Sequence, residues 1–154
     1  MKQEYDGIII GGGVAGLSTA MQLARRGKRV AVLERQRLGS GSTSKAAGLL
    51  GQLRGTAAQT RFQMDALAII RELEQQTGLE LFVPSGSLRI AETPERVEEL
   101  RLVSALGREL GLEVREPSIE EVARLVPYMR TDDLVYACHF PTDGFVMPAE
   151  LASA

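Results

Sequence analysis

Four of the six residues from Gly11 to Gly16 are glycine, in the run "IIIGGGVAGLSTAMQLARRGKRVAVLER" that covers residues 8–35. Glycine lacks a Cβ, so such a cluster marks a tight turn and a place where another backbone or a ligand can come close. The flanking sequence says what the turn connects. Tyr5 to Ile10 is β-rich and carries no charge beyond Asp6, as expected of a parallel strand buried on both faces. Val14 to Arg26 places Leu17, Ala20, Met21 and Ala24 on one helical stripe, and Gly27 follows two arginines as a helix stop. Arg29 to Leu33 is apolar and strand-like again. A strand, a helix and a strand of this combined length form one crossover unit, and right-handed crossover makes the strands parallel neighbours.

Gly11, Gly13 and Gly16 satisfy the Gly-x-Gly-x-x-Gly spacing. Gly11 permits the turn, Gly13 lets a pyrophosphate approach the backbone, and Gly16 lets the helix lie close to the strand. The free N–H groups around Val14 and Ala15 then face the phosphates, with the helix dipole favouring their charge. Glu34, about twenty residues on, can accept hydrogen bonds from the adenosine ribose, and its charge would repel a 2′-phosphate, which disfavours NADP. The same glycines could serve a tight turn without a ligand, with Glu34 a solvated strand end. The strand before, the helix after and the acidic residue beyond favour a dinucleotide site, and leave FAD and NAD undivided.

The chain has 154 residues, 44% hydrophobic and 25% charged, enough for one domain that buries about two thirds of its unfolded surface. A net charge of −2 from interspersed signs offers no footprint for nucleic acid. The start, "MKQEYDG", lacks the succession of a signal peptide, and no apolar run approaches twenty residues, so a soluble cytoplasmic protein without an integral membrane segment is expected. Cys138 is the only cysteine and His139 the only histidine, which excludes an internal disulfide and makes a metal site improbable. Alternation along "LVYACHF" sends these two side chains to opposite faces of a strand, so they do not form a nucleophile and base pair. No catalytic residue emerges.

After Glu34 the sequence "QRLGSGSTSKAAGLLGQLRG" shows neither helical nor strand period, and a loop this long is usually functional. Ala58 to Thr77 returns to helical spacing and stops at Gly78. Two short strands are expected within Leu81–Ile90 around "PSG". Thr93 and Pro94 open a helix with a stripe of Val97, Leu100, Val103, Leu106 and Leu110, ended by Gly111. Ser118 and Glu121 match a capping box for a short helix closed before Pro127. Leu134 to Phe140 is strand-like, "PTDG" is a turn, and Pro148 opens a last helix that the sequence leaves after about two turns.

The glycine run followed by "LERQRLGSGSTSKAAGLL" resembles the FAD-dependent oxidoreductases of the D-amino acid oxidase, sarcosine oxidase and dimethylglycine dehydrogenase superfamily. "FVPSGSLRIAETPERVEEL" and "FPTDGFVMPAELASA" are similar to that superfamily's segments too, the likeness being specific over residues 5–50 and looser beyond. It implies an α/β protein: a Rossmann-like FAD-binding βαβ unit and flavin loop in residues 1–55, the start of an inserted α+β substrate domain in 56–145, and the start of a returning helix in 146–154, as the N-terminal portion of a longer enzyme. Gly11, Gly12, Gly13, Val14, Ala15 and Gly16 would bind the FAD pyrophosphate, and Glu34 and Arg35 would flank the adenosine. Ser42, Thr43 and Ser44 would lie along the diphosphate and ribityl chain, with Ala46, Ala47, Gly48 and Leu49 beside the flavin ring. In the branch with covalent flavin near this loop a histidine precedes the Ala-Gly pair; Lys45 stands there here, so non-covalent FAD is expected. Lys45 and Arg54 are either near the flavin's polar edge or solvated.

The resemblance implies oxidation of an amine or amino acid by hydride transfer to the flavin, with partner subunit and electron acceptor unidentified. The alternatives are an FAD-dependent hydroxy acid or polyol phosphate dehydrogenase, an NAD-dependent dehydrogenase, and a non-catalytic nucleotide-binding subunit. Alone, a parallel strand edge and a helix face left bare would favour association.

Overall fold

The structure, a computed structural model, describes residues 4–154; residues 1–3, at the head of the expected 1–55 unit, lie outside the described residues. Strand β1 (Gly7–Ile10) and strand β2 (Val30–Leu33) pair in parallel, Gly7 opposite Val30 and Ile10 opposite Leu33, joined by helix α1 (Val14–Arg25). The ladder begins two residues later than Tyr5. Ahead of it Asp6 brackets Arg29 instead, its N–H donating to the Arg29 carbonyl and its carboxylate accepting the Arg29 N–H, both at 2.8 Å. Gly27, with φ +74°, turns the chain out of α1 as expected.

The expectation that β1 is covered on both faces is not met. Ile9 faces α1, its Cγ2 3.3 Å from where a Cβ on Gly16 would stand, whereas Ile8 and Ile10 are 62% and 88% exposed on the other face. One crossover helix supplies one covering layer, and among the described residues this sheet has two strands.

The aperiodic segment after β2 holds more order than its composition suggests: a 3-10 turn at Thr43–Lys45 and strand β3 (Leu49–Leu50). Helix α2 (Ala57–Thr77) is capped by the Thr56 hydroxyl, which accepts the Gln59 N–H at 3.3 Å, and stops at Gly78 with φ +72°. The strands on either side of "PSG" exist but belong to different sheets. β4 (Phe82–Val83) and β3 both pair antiparallel with β7 (Gly144–Val146), whereas β5 (Ser87–Ala91) pairs antiparallel with β6 (Tyr136–Phe140). The two lines thus run side by side and step from one sheet to the next together. Gly86 makes that step at φ +73°, its N–H donating to the Asp143 carbonyl at 2.8 Å.

Helix α3 (Pro94–Glu109) starts at Thr93, whose hydroxyl accepts the Arg96 N–H, and α4 (Ile119–Leu125) carries both arms of the Ser118–Glu121 capping box. Helix α5 (Pro148–Ser153) follows β7. The main core gathers Leu53, Ala91, Leu100, Leu112, Cys138 and Phe140, and the cluster of Ile70, Leu81, Phe82 and Val146 lies under α2. Leu53, 1% exposed, fixes the chain just beyond the aperiodic segment to that main core.

Leu100 on α3 is 2% exposed among these side chains. Replacing it by Ala leaves a cavity that its neighbours fill only in part, so Leu100→Ala should lower stability by about 2–5 kcal/mol, read in a denaturant titration followed by circular dichroism.

Candidate functional site

The site is built where the chain leaves β1. Gly11 has φ +108°, a region L side chains rarely adopt, and its N–H donates to the Leu33 carbonyl at 2.8 Å, tying the turn to the end of β2. A Cβ on Gly11 would meet nothing within 4 Å, so the space over the turn is open to a ligand. Gly16 is required by packing: a Cβ there would stand 2.0 Å from the Gly11 carbonyl oxygen. Gly13 is the N-cap of α1, and a Cβ on it would press on the Thr43 hydroxyl at 3.1 Å.

Gly12 has a role that spacing alone does not reveal. It is buried, and a Cβ would collide with Leu38 Cδ2 at 2.6 Å. Its N–H donates to Glu34 Oε2 at 2.8 Å, and its carbonyl accepts the Gly39 N–H at 2.7 Å. Glu34 uses its other oxygen as well, Oε1 accepting the Gln36 N–H at 2.8 Å. The Gly12 N–H first, and the Gln36 N–H next, hold the Glu34 carboxyl below its usual range. Each carboxylate oxygen has a further lone pair, so the expected role toward ribose hydroxyls is compatible with this bracket.

Thr43 joins the loop to the glycine turn. Its Oγ1 accepts the Val14 N–H at 3.1 Å across 29 residues, at the start of α1 where backbone donors lack helical partners. Ala15 is exposed beside it. Ser42 is exposed, whereas the Ser44 hydroxyl turns into the loop and bonds to the carbonyls of Ser40 and Gly41 at 3.0 Å. Lys45, Ala46 and Ala47 are exposed, and Leu49 is 76% exposed. Gly48, with φ +74°, accepts the Val146 N–H at 2.9 Å, and a Cβ there would lie 2.1 Å from the Val146 carbonyl oxygen. The loop is thus held at both ends and presents small side chains between them.

At the carboxyl ends of β1 and β2 lies a hollow of about 640 Å³ lined by Ile10, Gly11, Val32, Leu33, Glu34 and Arg35. Apolar walls with one carboxylate and one guanidinium suit a flat base with its ribose, and open α/β sheets bind ligands at this end of their strands. Cys138 and His139 lie apart from it. The Cys138 thiol is fully buried and accepts the Ser104 hydroxyl at 3.1 Å, while the His139 backbone bridges to Arg115.

Because the Glu34 carboxyl is held low, its bracket is complete above the usual carboxylate range and is lost as pH falls through the lowered value. The amide resonances of Gly12 and Gln36 should therefore titrate together, below the pH at which exposed glutamates do, and Glu34→Gln should remove that titration.

Known proteins are similar to this chain in sequence and fold. The chain matches the family described as "DAO: FAD dependent oxidoreductase" over residues 6–154. Sarcosine dehydrogenase, mitochondrial, of Homo sapiens is 39% identical over 145 residues, covering 92% of this chain and 16% of that protein. Glycine oxidase of Geobacillus kaustophilus is 35% identical over 164 residues, covering all of this chain and 43% of the other. The crystal structure of L-proline dehydrogenase from P. horikoshii superposes with a TM-score of 0.90 at 25% identity, covering 99% of this chain and 41% of that one. The chain spans less than half the length of each of these proteins. With the match running from Asp6 to the last residue, and with the glycine turn, Glu34 and the following loop brought to one surface, the chain belongs to the FAD-dependent oxidoreductase family.

Proposed function

We propose that residues 11–16, Glu34, Arg35 and the loop through Leu49 bind FAD non-covalently, as part of an oxidoreductase acting on an amine or amino acid. The observation that carries this reading is the meeting of Thr43 with the first turn of α1, which makes the glycine turn and the loop one continuous surface. Gly11 and Gly13 let the diphosphate reach the backbone, and the Ala15 N–H donates to it with the helix dipole behind it, next to the Val14 N–H that Thr43 holds. Glu34 accepts from the ribose. Ser42 lies along the ribityl chain, and Ala46 to Leu49 pack against the ring. FAD, when bound, supplies the hydride acceptance; the protein's part is placement and electrostatics.

The substrate class comes from the relatives, whose names specify sarcosine, glycine and L-proline, each an amine with a carboxylate. No residue of this chain is assigned to substrate. Lys45, exposed at the position where the covalent branch has histidine, supports non-covalent attachment.

Titration of FAD into the protein should quench flavin fluorescence, and Glu34→Ala should weaken binding by about ten- to a hundredfold, the loss of charge-assisted hydrogen bonds. Unchanged affinity would remove Glu34 from the site. Denaturing the loaded protein should release all flavin to the supernatant; flavin retained on the precipitated chain would mean a covalent link. Bleaching of the flavin band by a hydroxy acid or polyol phosphate, and not by sarcosine, glycine or proline, would move the substrate class.

A further inference from the structure

Beyond β3 the chain runs from Gly51 to Arg54 without a strand ladder, and it is fastened there from a distance. The Gln52 N–H donates to Asp143 Oδ1 at 2.9 Å across 91 residues. The Leu53 carbonyl accepts Arg89 Nη2 at 2.7 Å, and the Arg54 N–H donates to the Thr60 hydroxyl at 3.0 Å. Asp143 is 2% exposed, and its second oxygen accepts the Ser87 hydroxyl at 2.6 Å. The Gln52 side chain, also buried, donates to the Thr142 hydroxyl at 2.9 Å beside it.

A carboxylate this deep is costly unless it is hydrogen-bonded and its charge is compensated. Gln52 and Ser87 supply the hydrogen bonds; an asparagine keeps the acceptor for the Gln52 N–H but puts an NH2 donor where the Ser87 hydroxyl donates. The charge has a different addressee. Arg89 lies half-buried in the field of Asp143, with its guanidinium 5.1 Å from the centre of the Phe140 ring, and from there it reaches the Leu53 carbonyl. The buried anion thus holds Gln52 directly, and Arg89, which forms no ion pair with it within 4.0 Å, holds the next residue, Leu53.

That segment is the rear mooring of the loop. β3 contributes only two ladder positions, Leu49 with Phe145 and Leu50 with Gly144, and Gly48 adds one bond to Val146, so the rest of the mooring of residues 46–49 comes from what fixes Gly51 to Leu53. We propose that Asp143 is a positioning residue for the cofactor loop, fixing Gln52 so that Ala46 to Leu49 are held against the flavin. This rests on the cofactor reading above.

Asp143→Asn keeps the size and the Oδ1 acceptor but removes the charge and the acceptor for the Ser87 hydroxyl, whereas Ser87→Ala removes that hydrogen bond and keeps the charge, so the difference between them reports the charge. Both are compared with the wild-type chain in FAD titrations, in the visible absorption band of bound flavin, and in amide hydrogen exchange. For Asp143→Asn we expect affinity for FAD to fall about tenfold, as for loss of one charge-assisted interaction. The bound flavin band should change shape and exchange at Gln52 and Leu53 should quicken, with α2 and α3 protected as in wild type; Ser87→Ala should lose less affinity. An Asp143→Asn protein with wild-type affinity and an unchanged band overturns the positioning role while leaving the cofactor site intact. Protection lost throughout α2 and α3 in both variants also overturns it, making the cluster a requirement of the whole fold. A wild-type chain that fails to bind FAD overturns the cofactor reading itself, and this inference with it.

Discussion

Everything at the proposed cofactor surface follows from how closely α1 crosses the end of β1. A Cβ on Gly16 would fall 2.0 Å from the Gly11 carbonyl oxygen, so the helix sits as near the strand as backbone allows. That approach puts the first turn of α1 directly over the exit of the strand, with its N-terminal N–H donors facing the loop and that of Val14 bonded to Thr43. A helix displaced by the width of a methyl group would carry those donors away from the turn. The positive φ at Gly11 and the N-cap conformation of Gly13 are local solutions to the same requirement.

Around this crossing the chain builds a bracket from distant pieces. Glu34 reaches from the end of β2 to Gly12, the Gly12 carbonyl takes the Gly39 N–H, and Thr43 takes the Val14 N–H. These bonds are short and use backbone groups on at least one side. The loop from Gln36 onward, which has little apolar side chain to bury, is ordered by polar contacts at its front and by β7 and the main core at its rear.

Much of this was legible in the residues. The crossover unit, the capping residues at Thr93 and Ser118 and the stops at Gly27 and Gly78 follow from periodicity and turn chemistry, and the family from the resemblance of the glycine run and the segment after it. Three features were not. The burial of β1 was overestimated because an apolar run reports what a strand could bury, not how many layers surround it; Ile10 stands 88% exposed. The destinations of β4 and β5 were hidden because pairing depends on residues some fifty positions away, whereas turn signals act within four. The bond from Glu34 to Gly12 has no sequence signature, since the acidic residue of the motif is defined by its distance from the glycines and not by what its second oxygen does.

The middle place of β7 in its three-stranded sheet has a consequence in time. Among the described residues β3 and β4 touch no partner in that sheet except β7, which follows β3 by more than ninety residues. A ribosome releasing this polypeptide would set α1 against β1 and β2 early, from contacts separated by little more than twenty residues. The rear of the loop would wait, unanchored, until Gly144–Val146 had emerged. Closing so wide a span is the slow, entropically costly kind of step in folding. The proposed cofactor surface is therefore begun by β1, α1 and β2 and completed only once β7 has emerged.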